Sequence, residues 1–503
     1  MKNTLKNFEF HKINAASIQM ACLVLVACFD TLNMVFGIYI YQDFQRIMIL
    51  WLNLIAMVYL GVTIREPMTR LARNTLLLGM AFCAWPVFMQ LRDVIFVINP
   101  EHPEGRFLEG TFLCEYLLLL PFACVADEKE KVTGLKVFGW FMILASGILT
   151  VWGLPFGDPL IPESLRNTYR WNGSRMCIIW NANMLAASYM AGIAFCMMFI
   201  CQIRKLWVRI LLAVLAVMGF MAMILTDCRT VLMLTGCLLG GTAFVLISRG
   251  GMKRALLGLL AAGVVVICCH QLSGYVYGIH VDRMIAATRQ EMIEEVKSGE
   301  NAEDPAENAE QPDTEQNPLG EDAENSRPSA DTAGKSPLEI LVEDEQEYRN
   351  SPEHFLEFGG RMKIWKNALQ VIKDNPRLFL FGMRRVDNCI QHGYGWAKDP
   401  HNAMLNILMR LGLIGLGFAV YFTWLTIKNA YSLIFLKKSF VYQKIISILL
   451  VAIVLAEIFE PQLYFVMFPD NFTNMTYLFC LGYTIYWEKN AQPLKEKKKE
   501  TVQ

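Results

Sequence analysis

The residues best suited to chemistry are a histidine, two arginines and an asparagine between positions 229 and 402. They are Arg229 in "TDCRT", Arg361 in "FGGRMKIW", and His401 with Asn402 in "KDPHNAMLNILMRLGLIG". An imidazole titrates near neutral pH and can accept a proton from a hydroxyl, which makes His401 a candidate general base. A guanidinium offers a planar fork of donors that fits phosphate oxygens, so Arg229 and Arg361 are candidates for holding a diphosphate. Each has a plainer reading as well. Asp399 and Asn402 are helix-cap types and Pro400 suits a helix start, so His401 also fits a capping sequence. The arginines equally suit snorkelling to an interface, or an ion pair with Asp227, Asp282 or Glu460.

The elements that carry these residues are strongly apolar. Of 503 residues 54% are hydrophobic, and the mean hydropathy is +0.34, which implies a polytopic, all-α integral membrane protein. Spans long enough for a hydrocarbon core of about 30 Å can be marked about 12 times. Their limits are 18–40, 47–64, 75–95, 107–126, 135–154, 176–200, 206–225, 229–248, 254–273, 402–427, 444–460 and 469–487. With both termini cytoplasmic, every inside connection is basic (Arg65, Arg70 and Arg73; Lys129, Lys131 and Lys136; Arg204, Lys205 and Arg209; Arg249, Lys253 and Arg254), as the positive-inside rule requires. The start lacks a short apolar core followed by a small-residue cleavage site, so the first span reads as a retained anchor in the plasma or inner membrane. The 14 cysteines fall mostly within spans and form no C-x-x-C pair, which suits buried small hydrophobes rather than metal ligands or disulfides.

This topology divides the chain into an N-terminal membrane domain at 1–273 with about nine helices, an extracytoplasmic loop at 274–401, C-terminal membrane helices at 402–487, and a basic tail at 488–503. Within the loop, residues 291–347 are acidic, rich in Pro, Asn, Ser and Ala, and nearly without aromatics; such a segment cannot bury enough apolar surface to fold and reads as a disordered insertion. Residues 361–375 then show helical periodicity, with Ile364, Trp365, Ala368, Leu369 and Ile372 on one apolar stripe and lysines elsewhere, as in a helix lying in the membrane interface. Upstream, the connection "GDPLIPESLRNTYRWNGSRMCIIWNANMLA" puts Arg170 and Arg175 on the same outer side, just before Asn183. No motif supports nucleic-acid binding, haem or zinc, and no cofactor is expected.

Taken together, Arg361-x-x-x-Trp365, Pro376, Gly382, then His401-Asn402-x-x-Leu405 with Gly412 and Gly415 resemble the O-antigen ligase and polymerase superfamily. "WNGSRMCIIWNANMLA" and "TDCRTVLML" resemble two further stretches of that family, in the same order. Departures are Cys228 for a usual serine, Thr230 for a small residue, Arg410 where an acid is common, and the acidic insertion. The resemblance implies metal-independent transfer of a glycan from a polyprenyl (undecaprenyl) diphosphate carrier to an acceptor hydroxyl of a glycan, lipid or protein, at the outer face of the membrane. By the same carry-over Arg229 and Arg361 would hold the diphosphate, His401 would activate the acceptor, and Asn402 would orient the histidine or a sugar; Arg170, Arg175 and Asn183 would contact substrate. With no carboxylate pair to act as nucleophile, inversion at the anomeric carbon is expected. A ligase is preferred over a repeat-unit polymerase on the motif at His401. Two other classes compete: a flippase or transporter using Asp30, Glu109, Glu115 and Glu457, and a silent partner of a polysaccharide complex that uses the acidic segment as an interaction tail.

Overall fold

The computed structural model describes helical positions 74, 77, 78, 81, 84, 85 and 88, and residues 128–153, 171–172, 175–176, 182–248, 252–299, 361–374, 376–382, 400, 402–435, 439–457 and 472–490. In chain order the elements are α1 (Glu128–Gly153), the strands β1 (Trp171–Asn172) and β2 (Arg175–Met176), α2 (Ala182–Gln202), α3 (Leu206–Leu225), α4 (Arg229–Ile247), α5 (Met252–Gly299), α6 (Arg361–Asp374), α7 (Pro376–Phe381), α8 (Ala403–Phe435), α9 (Val441–Glu457) and α10 (Phe472–Asn490). Among the described residues six helices are long and apolar enough to cross a membrane: Gly134–Val151, Leu185–Gln202, Leu206–Leu225, Arg229–Ile247, Lys253–His280 and Leu411–Phe435. Val441–Ala456 and Thr476–Ile485 are shorter apolar runs. The protein is a helical integral membrane protein. The expected spans at 18–40, 47–64 and 107–126 lie outside the described residues, and the one at 75–95 is represented by scattered helical positions.

The bundle is organised around α2, which packs against α1, α3, α4, α9 and α10. Its sequence carries no charge and is apolar on all sides, so it is buried all round, with Tyr189, Phe195 and Phe199 filling the core. By contrast α3 is two-faced. Leu212, Phe220 and Met223 point into the core, whereas Trp207, Ile210, Val214 and Val217 form an exposed stripe suited to lipid. In α4 two buried hydroxyls are satisfied within the helix: Thr235 donates to the Val231 carbonyl and Thr242 to the Leu238 carbonyl, both at 2.8 Å.

Helices α4 and α5 form an antiparallel pair whose closeness depends on small residues. Gly236 and Gly240 face Val266 and Ala262, and a Cβ on Gly240 would stand 2.8 Å from the Ala262 carbonyl oxygen. This is the small-xxx-small packing that lets backbones approach in an apolar solvent.

The two ends of the bundle can be told apart. A cleft of about 120 Å³ is lined by Leu135 and Lys136 at the start of α1, Met198 and Gln202 at the end of α2, and Tyr442 at the start of α9. Short connections put the start of α3, the end of α4, the start of α5 and the end of α8 at this cleft end too. The opposite end therefore holds the starts of α2, α4 and α8.

Three expectations are corrected. The span expected at 176–200 begins later, at Ala182, because Trp171 pairs with Met176 and Asn172 with Arg175 in a two-stranded hairpin, and Met176 is buried in the core. The fold is therefore helical with one small hairpin. The span expected to end at 273 continues in α5 to Gly299, so residues 291–299 of the acidic segment are helical. Its residues beyond the apolar window, "VDRMIAATRQEMIEEVKSG", are mostly good helix formers, which hydropathy does not register. The span expected at 402–427 is not one straight helix: at Gly412 the backbone leaves helical geometry (φ 69, ψ −170), and the run long and apolar enough to cross a membrane is Leu411–Phe435.

Replacing Gly240 by Leu is expected to destabilise the bundle by about 1–3 kcal/mol through overpacking against α5. Gly263→Leu, whose Cβ would meet nothing within 4 Å, should be neutral to within about 0.5 kcal/mol. Heat-inactivation midpoints of the two variants, at one heating rate in one detergent, check this; equal midpoints would contradict the packing argument.

Candidate functional site

The first candidate cation sits on a tight corner. Helix α3 closes with Thr226 N–H donating to the Met223 carbonyl (3.1 Å) and Asp227 N–H to the Ile224 carbonyl (3.0 Å). The fully buried Thr226 hydroxyl donates to the Met223 carbonyl at 2.6 Å and accepts from Cys228 N–H at 3.4 Å. Asp227 turns the chain with φ 48, the one positive φ outside glycine among the described residues. Helix α4 then starts at Arg229, behind the N-cap residue Cys228, whose thiol makes no capping bond. The thiol thus does not perform the capping that a serine can perform at this position.

Arg229 and Asp227 form the ion pair named among the sequence alternatives, in a loose form. Arg229 Nε lies 3.7 Å from Asp227 Oδ1, and the side chains are 46% and 15% exposed. A pair this long and this accessible contributes at most about 1 kcal/mol. An incoming diphosphate, with two or more charge-assisted hydrogen bonds to offer, competes with it easily.

The second candidate region is the start of α8. Asn402 is its N-cap in full: its carbonyl accepts the first helical bond from Asn406 N–H (2.9 Å), and its side-chain Oδ1 accepts from Leu405 N–H (3.0 Å). The amide oxygen is therefore committed to the helix, which realises the capping alternative for this residue. Pro400 beside it is buried. His401 lies outside the described residues, between these two fixed neighbours.

The amphipathic stretch folds as α6, opened by Arg361. Its stripe residues Ile364, Ala368 and Ile372 pack with Leu408 and Met409 of α8 in a separate apolar cluster that also takes in Val371 and Leu416. Helix α7 follows and packs on α8 at Gly412. Arg361 is thereby carried on a helix docked against the same α8 segment that Asn402 caps.

The starts of α4 with Arg229, of α2 with Asn183 and of α8 with Asn402 thus lie at one end of the bundle, and α6 docks on α8 near that end. Arg175 lies in β2, paired with Asn172, and β2 is anchored to the same core by Met176. Arg170 lies outside the described residues. The cleft end instead collects the cations Lys136, Arg204, Lys205, Arg209, Lys253 and Arg254. Sequence reasoning did not identify Trp85, whose indole N–H reaches the Leu411 carbonyl at 2.8 Å. Nothing local signals a contact between positions 326 apart. The break at Gly412 had a signal, the glycine pair in "RLGLIG".

Residues 214–420 match a family model described as O-antigen ligase. The matched segment takes in Arg229, Arg361, His401, Asn402 and the Gly412 break, and leaves out Arg170, Arg175 and Asn183. No curated protein matches the chain.

Asn402→Ala is expected to remove about 1 kcal/mol from the first turn of α8 and to speed hydrogen exchange of the Leu405 amide about fivefold. Asn402→Asp keeps the acceptor and should restore protection. An alanine variant with wild-type exchange would rule out the capping role.

Proposed function

We propose that this chain, which belongs through residues 214–420 to the O-antigen ligase superfamily, transfers a glycan from a polyprenyl diphosphate carrier to an acceptor hydroxyl at the outer face of the membrane. The family comprises membrane-associated enzymes of glycan assembly acting on lipid-linked glycans. The reading is supported by the topology, in which the starts of the Arg229 and Asn402 helices lie at the same bundle end, and by α6 docking on the Asn402 helix, all inside the matched segment.

The chemistry follows from the residue types. As the glycosidic bond breaks, charge grows on the departing diphosphate. Arginines fixed near it stabilise the transition state more than the ground state, and Arg229 and Arg361 take this role. The acceptor hydroxyl is a weak nucleophile until a base removes its proton, and His401 takes that proton. Asn402 acts here by holding the chain at the helix entry, one residue after the base, while Arg170, Arg175 and Asn183 contact the glycan or its carrier. Direct displacement inverts the anomeric centre and requires no metal.

Sidedness is supported by charge. The short connections at the cleft end carry Arg204, Lys205, Lys253 and Arg254, and the positive-inside rule, which counts short connections, assigns that end to the cytoplasm and leaves the Arg229 end outside. Both termini are then cytoplasmic, in a multi-pass protein of the plasma or inner membrane. The acceptor, a different polymer for a ligase or a like repeat unit for a polymerase, defines the remaining branch; we assign ligase on the motif at His401.

Purified full-length protein, given a defined polyprenyl diphosphate glycan and an acceptor, should form product with inverted anomeric configuration. His401→Ala should lower the rate on the order of 10²–10⁴, and Arg229→Ala and Arg361→Ala each about 10²–10³. Wild-type rates in all three variants at equal folded amounts, or a retained configuration, would overturn the assignment.

A further inference from the structure

The break in α8 divides it into two parts with different attachments. Above Gly412, the segment 403–411 is capped by Asn402 and docked on α6 through Leu408 and Met409. Below it, residues 413–435 run through the bundle, where Phe422 and Leu425 are buried and the Thr426 and Tyr477 hydroxyls share a hydrogen bond of 2.7 Å that ties α8 to α10. The angle between the two parts is set at the break.

Two contacts define that angle. Gly412 has φ 69, and a Cβ there would run into the Leu380 carbonyl and stand 2.7 Å from the Phe381 amide nitrogen, so the backbone of α7 rests directly on the break. From the core side, the Leu411 carbonyl accepts the Trp85 indole N–H at 2.8 Å. Trp85 is half-buried against the main core and stacks on Phe88 at 5.7 Å.

We propose that Trp85 is a positioning residue for glycan transfer: its N–H holds the Leu411 carbonyl beside the break and so fixes where the segment carrying positions 401 and 402 stands relative to Arg229. The proposal rests on the transfer function given above. The segment from Asn402 to Leu411 is a lever of about 13 Å at 1.5 Å per residue, so a swing of about 5° moves its tip about 1 Å. A displacement of that size is enough to cost a large part of a rate that depends on reactive geometry. Arg229 is on the rigid α3–α4 corner and does not move with the lever.

The test replaces Trp85 in the full-length protein with 3-benzothienylalanine, which keeps ring shape and stacking but has sulfur in place of N–H, with 5-fluorotryptophan as an N–H-retaining control. Trp85→Phe serves as a second N–H-free variant. The N–H-free proteins should lose about five- to tenfold in kcat, with KM for the lipid-linked donor within about twofold and an unchanged melting midpoint. Hydrogen exchange should rise in residues 402–411 and not in α9. The fluorinated control should behave as wild type. Unchanged kcat in both N–H-free proteins, or a loss of kcat only in step with a lowered melting midpoint, overturns the positioning role while the transfer function stands. If wild-type protein makes no product, the transfer function fails, and unchanged exchange at 402–411 without the N–H then overturns the positioning role separately.

Discussion

A backbone carbonyl beside a break in a helix, surrounded by apolar side chains, has no water to turn to and must find a donor in the protein. At Leu411 that donor is the Trp85 indole, brought from a helix 326 positions away. The break itself is possible because position 412 is glycine, which tolerates φ 69 and lets the backbone of α7 come into contact. The rest of the site end follows from this one arrangement. With the break in place, the first turns of α8 dock on α6, and the helix opened by Arg361 is fixed beside the turn capped by Asn402. Any side chain at position 412 would run into the Leu380 carbonyl of α7, so the close approach of α7 to the break depends on the glycine.

The remaining half of the site end is held differently. Arg229 is supported by a corner whose polar groups bond within three or four residues, so its position is determined locally by Thr226, Asp227 and Cys228. Its guanidinium makes a 3.7 Å contact to the Asp227 carboxylate and stays about half exposed. A strong internal pair would cost more to break than a ligand returns. The loose pair keeps the cation near its place and adds little to what an anion must displace.

Much of the bundle was legible because hydropathy reports what lipid contact demands. The limits expected for α3, 206–225, are those observed, and α4 differs at one end by a residue. The stripe of α6 was legible for a related reason: Ile364, Ala368 and Ile372 recur at helical spacing and are buried against α8. What escaped sequence reasoning belongs to other physics. The hairpin at Trp171–Met176 is held by pairing and by one buried methionine, not by a run of β-formers. The extension of α5 depends on helix propensity beyond the apolar window, where hydropathy falls silent. The partner of Leu411 is purely tertiary. At the candidate site the residue types were legible, and so were both alternatives for Asn402 and Arg229; the coordinates add the capping bond of Asn402 and the loose ion pair of Arg229, which a sequence does not give.

These two modes of support define how the site end responds to change. The corner has bonds that close within the turn, from Thr226 to Met223, Asp227 to Ile224 and Cys228 to Thr226, and these do not pass through the lever. A docked lever is sensitive, because its orientation depends on contacts from α6, α7 and the helix of Trp85, all far apart in sequence. On the proposed assignment Arg229 stands on the first support, whereas His401 and the Arg361 helix depend on the second. On that proposal loss at the lever appears mainly in the chemical step, because Arg229 still holds the carrier while the base, together with Arg361 on the docked α6, stands out of line. The same asymmetry explains why the capping bond of Asn402 matters at a position one residue after His401: it stiffens the far tip of the lever, where a small angular error at Gly412 becomes the largest displacement.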